Sequence, residues 1–157
     1  MGEIFIKQGE LDAAAELFQA VLRVEPVNAK ASCGLGIVLV KQDKLEDAIP
    51  YFEAALQIDP KHFDSLLNLG IVLTSQNRLD EAISHLQTAL SLNSQHGDLS
   101  FRLGIAFMKQ DNHEAATAYL QKALEIDPKH FDSLLKLCGV LISQKSLDEA
   151  ITYLQTA

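Results

Sequence analysis

The stretch Ile58-Asp-Pro-Lys-His-Phe-Asp-Ser-Leu-Leu67 recurs unchanged at Ile126 to Leu135, 68 positions further on. Around it, Phe63 to Ala89 and Phe131 to Ala157 stay closely similar. Half of that distance organises the whole chain. Pro26, Pro60 and Pro128 lie on 34-residue steps, with Ser94 at the skipped place. Gly2, Gly36, Gly70 and Gly104 keep the same step, and Cys138 takes the next position. Ala14, Ala48, Ala82, Ala116 and Ala150 follow it without a gap. A fixed period of this length marks a repeat architecture, in which each unit buries its apolar side on the next.

Each unit reads as two helices. In the second, Ala29 to Gln42 and Leu45 to Ile58 carry Leu35, Leu39, Leu45, Ile49, Phe52 and Leu56 at helical spacing. Asp43-Lys44 is the turn between them. Asp59-Pro60 ends the hairpin, because proline disfavours helix in the residue before it and lacks an N–H. Gly36 and Ala48 are small enough to let paired helices approach, and Phe52 fills the space between hairpins. Pro50, about five residues into a helix, predicts a bend or a late helix start. Cys138 in a glycine's place, followed by Gly139, predicts a fifth hairpin packed slightly apart. The fold class is all-α, with about 4.5 antiparallel helix-turn-helix repeats.

This pattern resembles the tetratricopeptide repeat family. Leu35-Gly36, Leu69-Gly70 and Leu103-Gly104 match the family's Leu-Gly pair. Phe5 and Phe107 match its first aromatic, where Leu39, Leu73 and Leu141 stand in other units. Ala14 with Phe18 and Ala48 with Phe52 match its second half, while Leu86, Leu120 and Leu154 take the later aromatic place. The leading Trp is missing; Ser32, Leu66, Ser100 and Leu134 occupy its position. The resemblance covers essentially the whole chain. It implies a right-handed α-solenoid, a single array over residues 1–157. Its repeats run over 1–28 (partial), 29–62, 63–96, 97–130 and 131–157 (partial). Neither end carries a polar capping helix, so the chain is expected to be a fragment of a longer protein. The bare terminal repeats also invite a homo-oligomer.

The chain has 157 residues, is 48% hydrophobic and carries a net charge of -8. An acidic protein is a poor match for nucleic acid, which is bound by neutralising phosphates, and for an anionic membrane surface. No apolar run of 18 residues is present, so no membrane span is expected. Cys33 and Cys138 have neither metal-ligand nor disulfide-framework spacing. They read as buried free thiols of a reducing compartment, which places the protein in the cytoplasm.

No motif for catalysis or cofactor binding is found: no phosphate loop, no His-Glu-x-x-His and no Gly-x-Ser-x-Gly. The protein is therefore not expected to be an enzyme or to hold a cofactor or metal. His62 and His130 occupy the same loop place in two copies and read as solvated. His113, at a normally apolar place, reads as half-buried. Glu46-Asp47, Asp80-Glu81 and Asp148-Glu149 open second helices, where they complement the positive helix end.

The resemblance implies that first helices line a concave groove holding a protein or peptide ligand. Their rows contain Cys33, Leu67, Phe101 and Leu135, then Ile37, Ile71, Ile105 and Gly139. A flanking row holds Gly34, Asn68, Arg102 and Lys136, with Met108 and Lys109 further along. An apolar stripe centred on Leu67, Ile71, Phe101 and Ile105 is expected, rimmed by Arg102, Lys109 and Lys136. Three or four buried Leu- or Phe-sized ligand groups, at roughly 1.5–3 kcal/mol each less the ordering cost, give an affinity of micromolar order. Asn68 and Arg102 match two places of the clamp by which some members hold a C-terminal carboxylate. Cys33, Ile37 and Asp98 stand where it needs Lys, Asn and Lys, so chaperone-tail binding is not expected. Two further roles fit the resemblance: a self-assembling scaffold, and the recruiting arm of a larger enzyme such as a glycosyltransferase.

Overall fold

The computed structural model describes residues 2–156, and only the backbone of Glu149, Leu154 and Thr156. Met1, Ala157 and the Leu154 side chain, expected in the later aromatic place, lie outside the described residues. Among the described residues the chain is all-α. First helices are α1 (Gly2–Gln8), α3 (Ala29–Lys41), α5 (Phe63–Ser75), α7 (Gly97–Lys109) and α9 (Phe131–Ser143). Second helices are α2 (Leu11–Val24), α4 (Leu45–Ile58), α6 (Leu79–Leu92), α8 (His113–Ile126) and α10 (Leu147–Thr156). The chain divides into two compact units, Met1–Val72 and Leu73–Ala157, with the boundary inside α5.

The turn inside each hairpin repeats one backbone device. Gly9, Asp43, Asn77, Asp111 and Lys145 all have positive φ, between 58° and 80°. They stand 34 residues apart. The next residue's N–H reaches back over the helix end: Lys44 to the Leu39 carbonyl at 2.9 Å, Asn112 to Phe107 at 3.0 Å, Ser146 to Leu141 at 2.9 Å. This left-handed closure satisfies carbonyls that the helix cannot, and glycine adopts it most readily. Lysine is the least suited of the five residues. Lys145→Gly is expected to stabilise the last hairpin by about 0.5–1 kcal/mol, read as a rise in the urea midpoint with unchanged helix content.

Small residues set how closely helices meet. Ala14, Ala48, Ala82 and Ala116 are each 0% exposed. A Cβ added to Gly36 would lie 2.7 Å from the Phe52 ring, and one on Gly104 2.7 Å from Leu120. In the first unit α2 packs on α1 and α3, and α3 on α4. In the second, α6 packs on α7, α7 on α8, α8 on α9 and α9 on α10. Polar ties recur between hairpins: Gln42 donates its amide to Asp12 at 3.1 Å, and Gln110 donates to Asp80 at 2.6 Å.

The late helix start at Pro50 and the fifth hairpin packed apart are corrected. Pro50 does not delay its helix: α4 starts at Leu45 and contains Pro50, which is exposed. Its place in the early helix limits the loss to one backbone hydrogen bond on the solvent side. The fifth hairpin does not stand apart either. Leu137, Val140, Leu141 and Ala150 form one cluster with Leu120 of the preceding hairpin. Cys138 is itself buried, its Sγ 3.8 Å from the Ala150 carbonyl.

Candidate functional site

The residues expected to line the ligand face all lie on first helices. Leu67, Asn68 and Ile71 belong to the first unit and are half-buried on α5. The Asn68 amide donates to the Asp64 carbonyl at 2.7 Å, one turn back on the same helix. The other seven belong to the second unit. There, Phe101 and Met108 pack against the cluster around Leu120 and Leu141, so both share in the core. The Phe101 ring centroid is 5.0 Å from that of His130, and the Arg102 guanidinium lies 5.9 Å from the Phe101 ring. Arg102 Nε also donates to Asp98 at 3.4 Å. Lys109 Nζ donates to the Thr74 carbonyl at 3.0 Å. Ile105 is half-buried, and Leu135 (49% exposed) and Lys136 are open to solvent. Of these seven, Leu135 and Lys136 are thus open to solvent, whereas Phe101 and Met108 are partly committed to the core.

The loop histidines have another role than solvation. Asn28, His62, His96 and His130 stand at one position of the 34-residue register, immediately before α3, α5, α7 and α9. Each side chain accepts from the backbone N–H three residues on: Asn28 from Ala31 at 2.9 Å, His62 from Ser65 at 3.3 Å, His96 from Leu99 at 3.2 Å, His130 from Ser133 at 3.2 Å. His62 and His130 add a bond to the hydroxyls of Ser65 (3.0 Å) and Ser133 (2.7 Å). They are half-buried helix caps, because a free helix N–H needs an acceptor and Nδ1 supplies it. The spacing of these four residues was a readable signal, hidden by the change from Asn to His. His130→Ala is expected to cost about 1 kcal/mol and His130→Asn to cost much less, measured by chemical unfolding. His113 is half-buried as expected, with its Nδ1 buried.

Burial shapes the titration of both cysteines. Burial pushes the Cys33 thiol up to about 11, against the opposing pull of a hydrogen bond with Ser65. Burial likewise raises the Cys138 thiol. A thiol raised in the folded state costs stability once the unfolded chain can ionise and the native one cannot. Stability is therefore expected to fall as pH rises from 9.0 towards 11, with the loss removed in Cys33→Ala. At the start of α6, the hydrogen bond from Arg78 (2.6 Å) holds the Glu81 carboxyl below its usual range. Among the described residues no three His, Cys, Asp or Glu side chains are placed to hold a metal ion. None of the described helices is long and apolar enough to cross a membrane.

Among the described residues ten helices pair through a turn that repeats every 34 residues, with Gly and Ala at their crossings, and this defines a helical-hairpin repeat protein. The chain belongs to the tetratricopeptide repeat family. One profile of that description matches residues 1–63 and 67–131, and a second matches 39–93 and 107–157. No curated protein matches the sequence. Among solved structures, the chain is similar to MamA, with TM-score 0.92, 22% identity, and coverage of 99% of this chain and 91% of that one. PilF of Pseudomonas aeruginosa gives TM-score 0.88 at 22% identity over 99% of this chain and 71% of that one. YrrB, described as a tetratricopeptide repeat protein with an unusual peptide-binding site, gives TM-score 0.76 at 27% identity over 85% and 69%. The likeness to MamA and PilF is one of fold.

Proposed function

We propose that this chain is a non-catalytic scaffold that binds a protein or peptide through the exposed side of its first helices. The observation that carries this reading is Leu135 with its neighbours. A large apolar residue stands 49% exposed beside Lys136, on a helix whose opposite side is fully committed to the core. Leu67 and Ile71 present half-buried apolar surface at matching register positions of the first unit. Family membership and the peptide-binding site of YrrB support the same reading. A ligand would set apolar side chains on Ile105 and Leu135 and a carboxylate or carbonyl near Lys136. The buried, free thiols support a reducing, cytoplasmic setting.

Peptides selected from a displayed random library, titrated into isotope-labelled protein, test the proposal. Expected are saturable shifts at Ile105, Leu135 and Lys136, and loss of binding in Leu135→Asp with unchanged helix content. Shifts confined to the outward sides of α6 and α8 would contradict it. Phe101 is a poor residue for this test, because its substitution also disturbs the core.

A second reading, self-association, is favoured by the apolar exposure of the last hairpin. Phe131 is 66% exposed, Leu147 56% and Ile151 50%. Such surface gathers partners of its own kind. Light scattering over a concentration series decides it, and a constant monomer mass up to millimolar chain would remove it.

A further inference from the structure

Of the five histidines, His62, His96 and His130 share one place of the register, immediately before α5, α7 and α9. In each, the atom that accepts the helix N–H is Nδ1. A cap of this kind exists in one protonation state only. A neutral imidazole offers one bare nitrogen as an acceptor, whereas a protonated ring is a donor at both. Once Nδ1 carries a proton, it points an N–H at the backbone N–H of Ser65, Leu99 or Ser133. The hydroxyls of Ser65 and Ser133 can turn to accept from the ring, but a backbone N–H cannot. The added charge also stands at the positive end of a helix, which disfavours it. Asn28 caps α3 through an amide oxygen, which takes up no proton in this range.

The surrounding charges do not reverse the sign. Asp59, Lys61 and Asp64 flank His62 along the chain, and Glu3 of α1 with Lys30 and Cys33 of α3 line the same cleft as its side chain. Asp98 follows His96, and the last turn of α6 carries no charge. Asp127, Lys129 and Asp132 flank His130, with Glu125 near the end of α8. Arg102 of α7, paired with Asp98, lies by the Phe101 ring that His130 touches. Asp59 and Asp127 are turned to the backbone N–H groups of Lys61 and Lys129, at 3.0 Å each. Glu3, Asp64, Glu125 and Asp132 are exposed, so water and salt screen them. These carboxylates favour a charged ring weakly, while the lost hydrogen bond and the helix end oppose it directly.

We infer that the three imidazole caps form an acid-sensitive latch: protonation uncaps α5, α7 and α9 together, while α3 keeps its cap. The bond is present where the rings are neutral. It is lost as pH falls through the range, about 8 to 5, in which histidine side chains change charge. Stability and the order of the leading turns of these helices therefore drop on the acid side. The same helices carry the rows of the proposed ligand face, but the latch stands on the caps alone and needs no ligand.

A titration of the 157-residue chain from about pH 7.5 to 5.5 tests this, since most carboxylates stay ionised there. Urea unfolding is expected to show a falling midpoint, with the folding constant reduced up to about fivefold for each lost cap. In nuclear magnetic resonance spectra, the amide protons of Ser65, Leu99 and Ser133 should move upfield as their acceptors are lost, and that of Ala31 should stay. A chain carrying His62→Asn, His96→Asn and His130→Asn together should hold its midpoint nearly level over the same range. If that variant does not fold, the comparison with Ala31 in the unaltered chain still decides. A level midpoint in the unaltered chain, an acid loss kept in full by the triple variant, or an Ala31 amide that moves with the other three would overturn the proposal.

Discussion

Phe52→Ala is expected to cost about 3–5 kcal/mol, the range for removing a buried phenylalanine. The ring is 0% exposed and lies over Gly36, so the surrounding helices cannot collapse onto the vacated space without moving α3 against α4. A helical array draws its stability from each hairpin and from its interfaces with neighbours. The loss should therefore fall first on the first unit, Met1–Val72. Two probes separate this from global unfolding. Far-ultraviolet circular dichroism should show a new early transition carrying part of the helix signal. Proteolysis should cut near Gln42–Lys44 before it cuts elsewhere. A single transition with an unchanged midpoint would mean that Phe52 contributes little.

The second large effect is a pair of identical substitutions with opposite signs. Gly36→Ala places a methyl 2.7 Å from the Phe52 ring, which has no room to swing. Overpacking of this kind costs about 1–3 kcal/mol, more than the 0.5–1 kcal/mol that alanine returns in helix propensity. Gly139→Ala meets nothing within 4 Å and is exposed on a helix, so only the propensity gain of about 0.5–1 kcal/mol remains. Gly36→Ala should lower the urea midpoint and Gly139→Ala should raise it. Equal shifts in one direction would show that backbone propensity alone governs both sites.

The repeat was legible because Ala holds one place at every step and Gly and Pro hold theirs at most: Ala14 and its four equivalents carry only a methyl where helices cross. The hairpin closure was harder to read. Gly9, Asp43, Asn77, Asp111 and Lys145 share a backbone conformation, not a residue type, and left-handed φ is tolerated at Asp and Asn because their short polar side chains strain it least. The helix caps were hidden for the same reason, since Asn28 and His130 offer the same acceptor from different side chains.

The ligand face was legible only as a set of columns. Phe101 and Leu135 occupy the same register position, yet Phe101 packs on the core cluster while Leu135 is half open to water. Periodicity places a residue on one side of a helix. Whether a neighbouring hairpin covers that side depends on tertiary packing, which the spacing of apolar residues does not contain.

Amide hydrogen exchange resolved to single residues tests the 34-residue hairpin most directly. Slow exchange is expected along α3, α4, α7 and α8, broken by faster exchange in the first turn of each second helix, Leu45–Asp47 in α4, where N–H groups have no intrahelical acceptor. Protection running unbroken from α3 through Leu45–Asp47, or fast exchange throughout both helices of a hairpin, would contradict a chain built from paired helices that shelter one another.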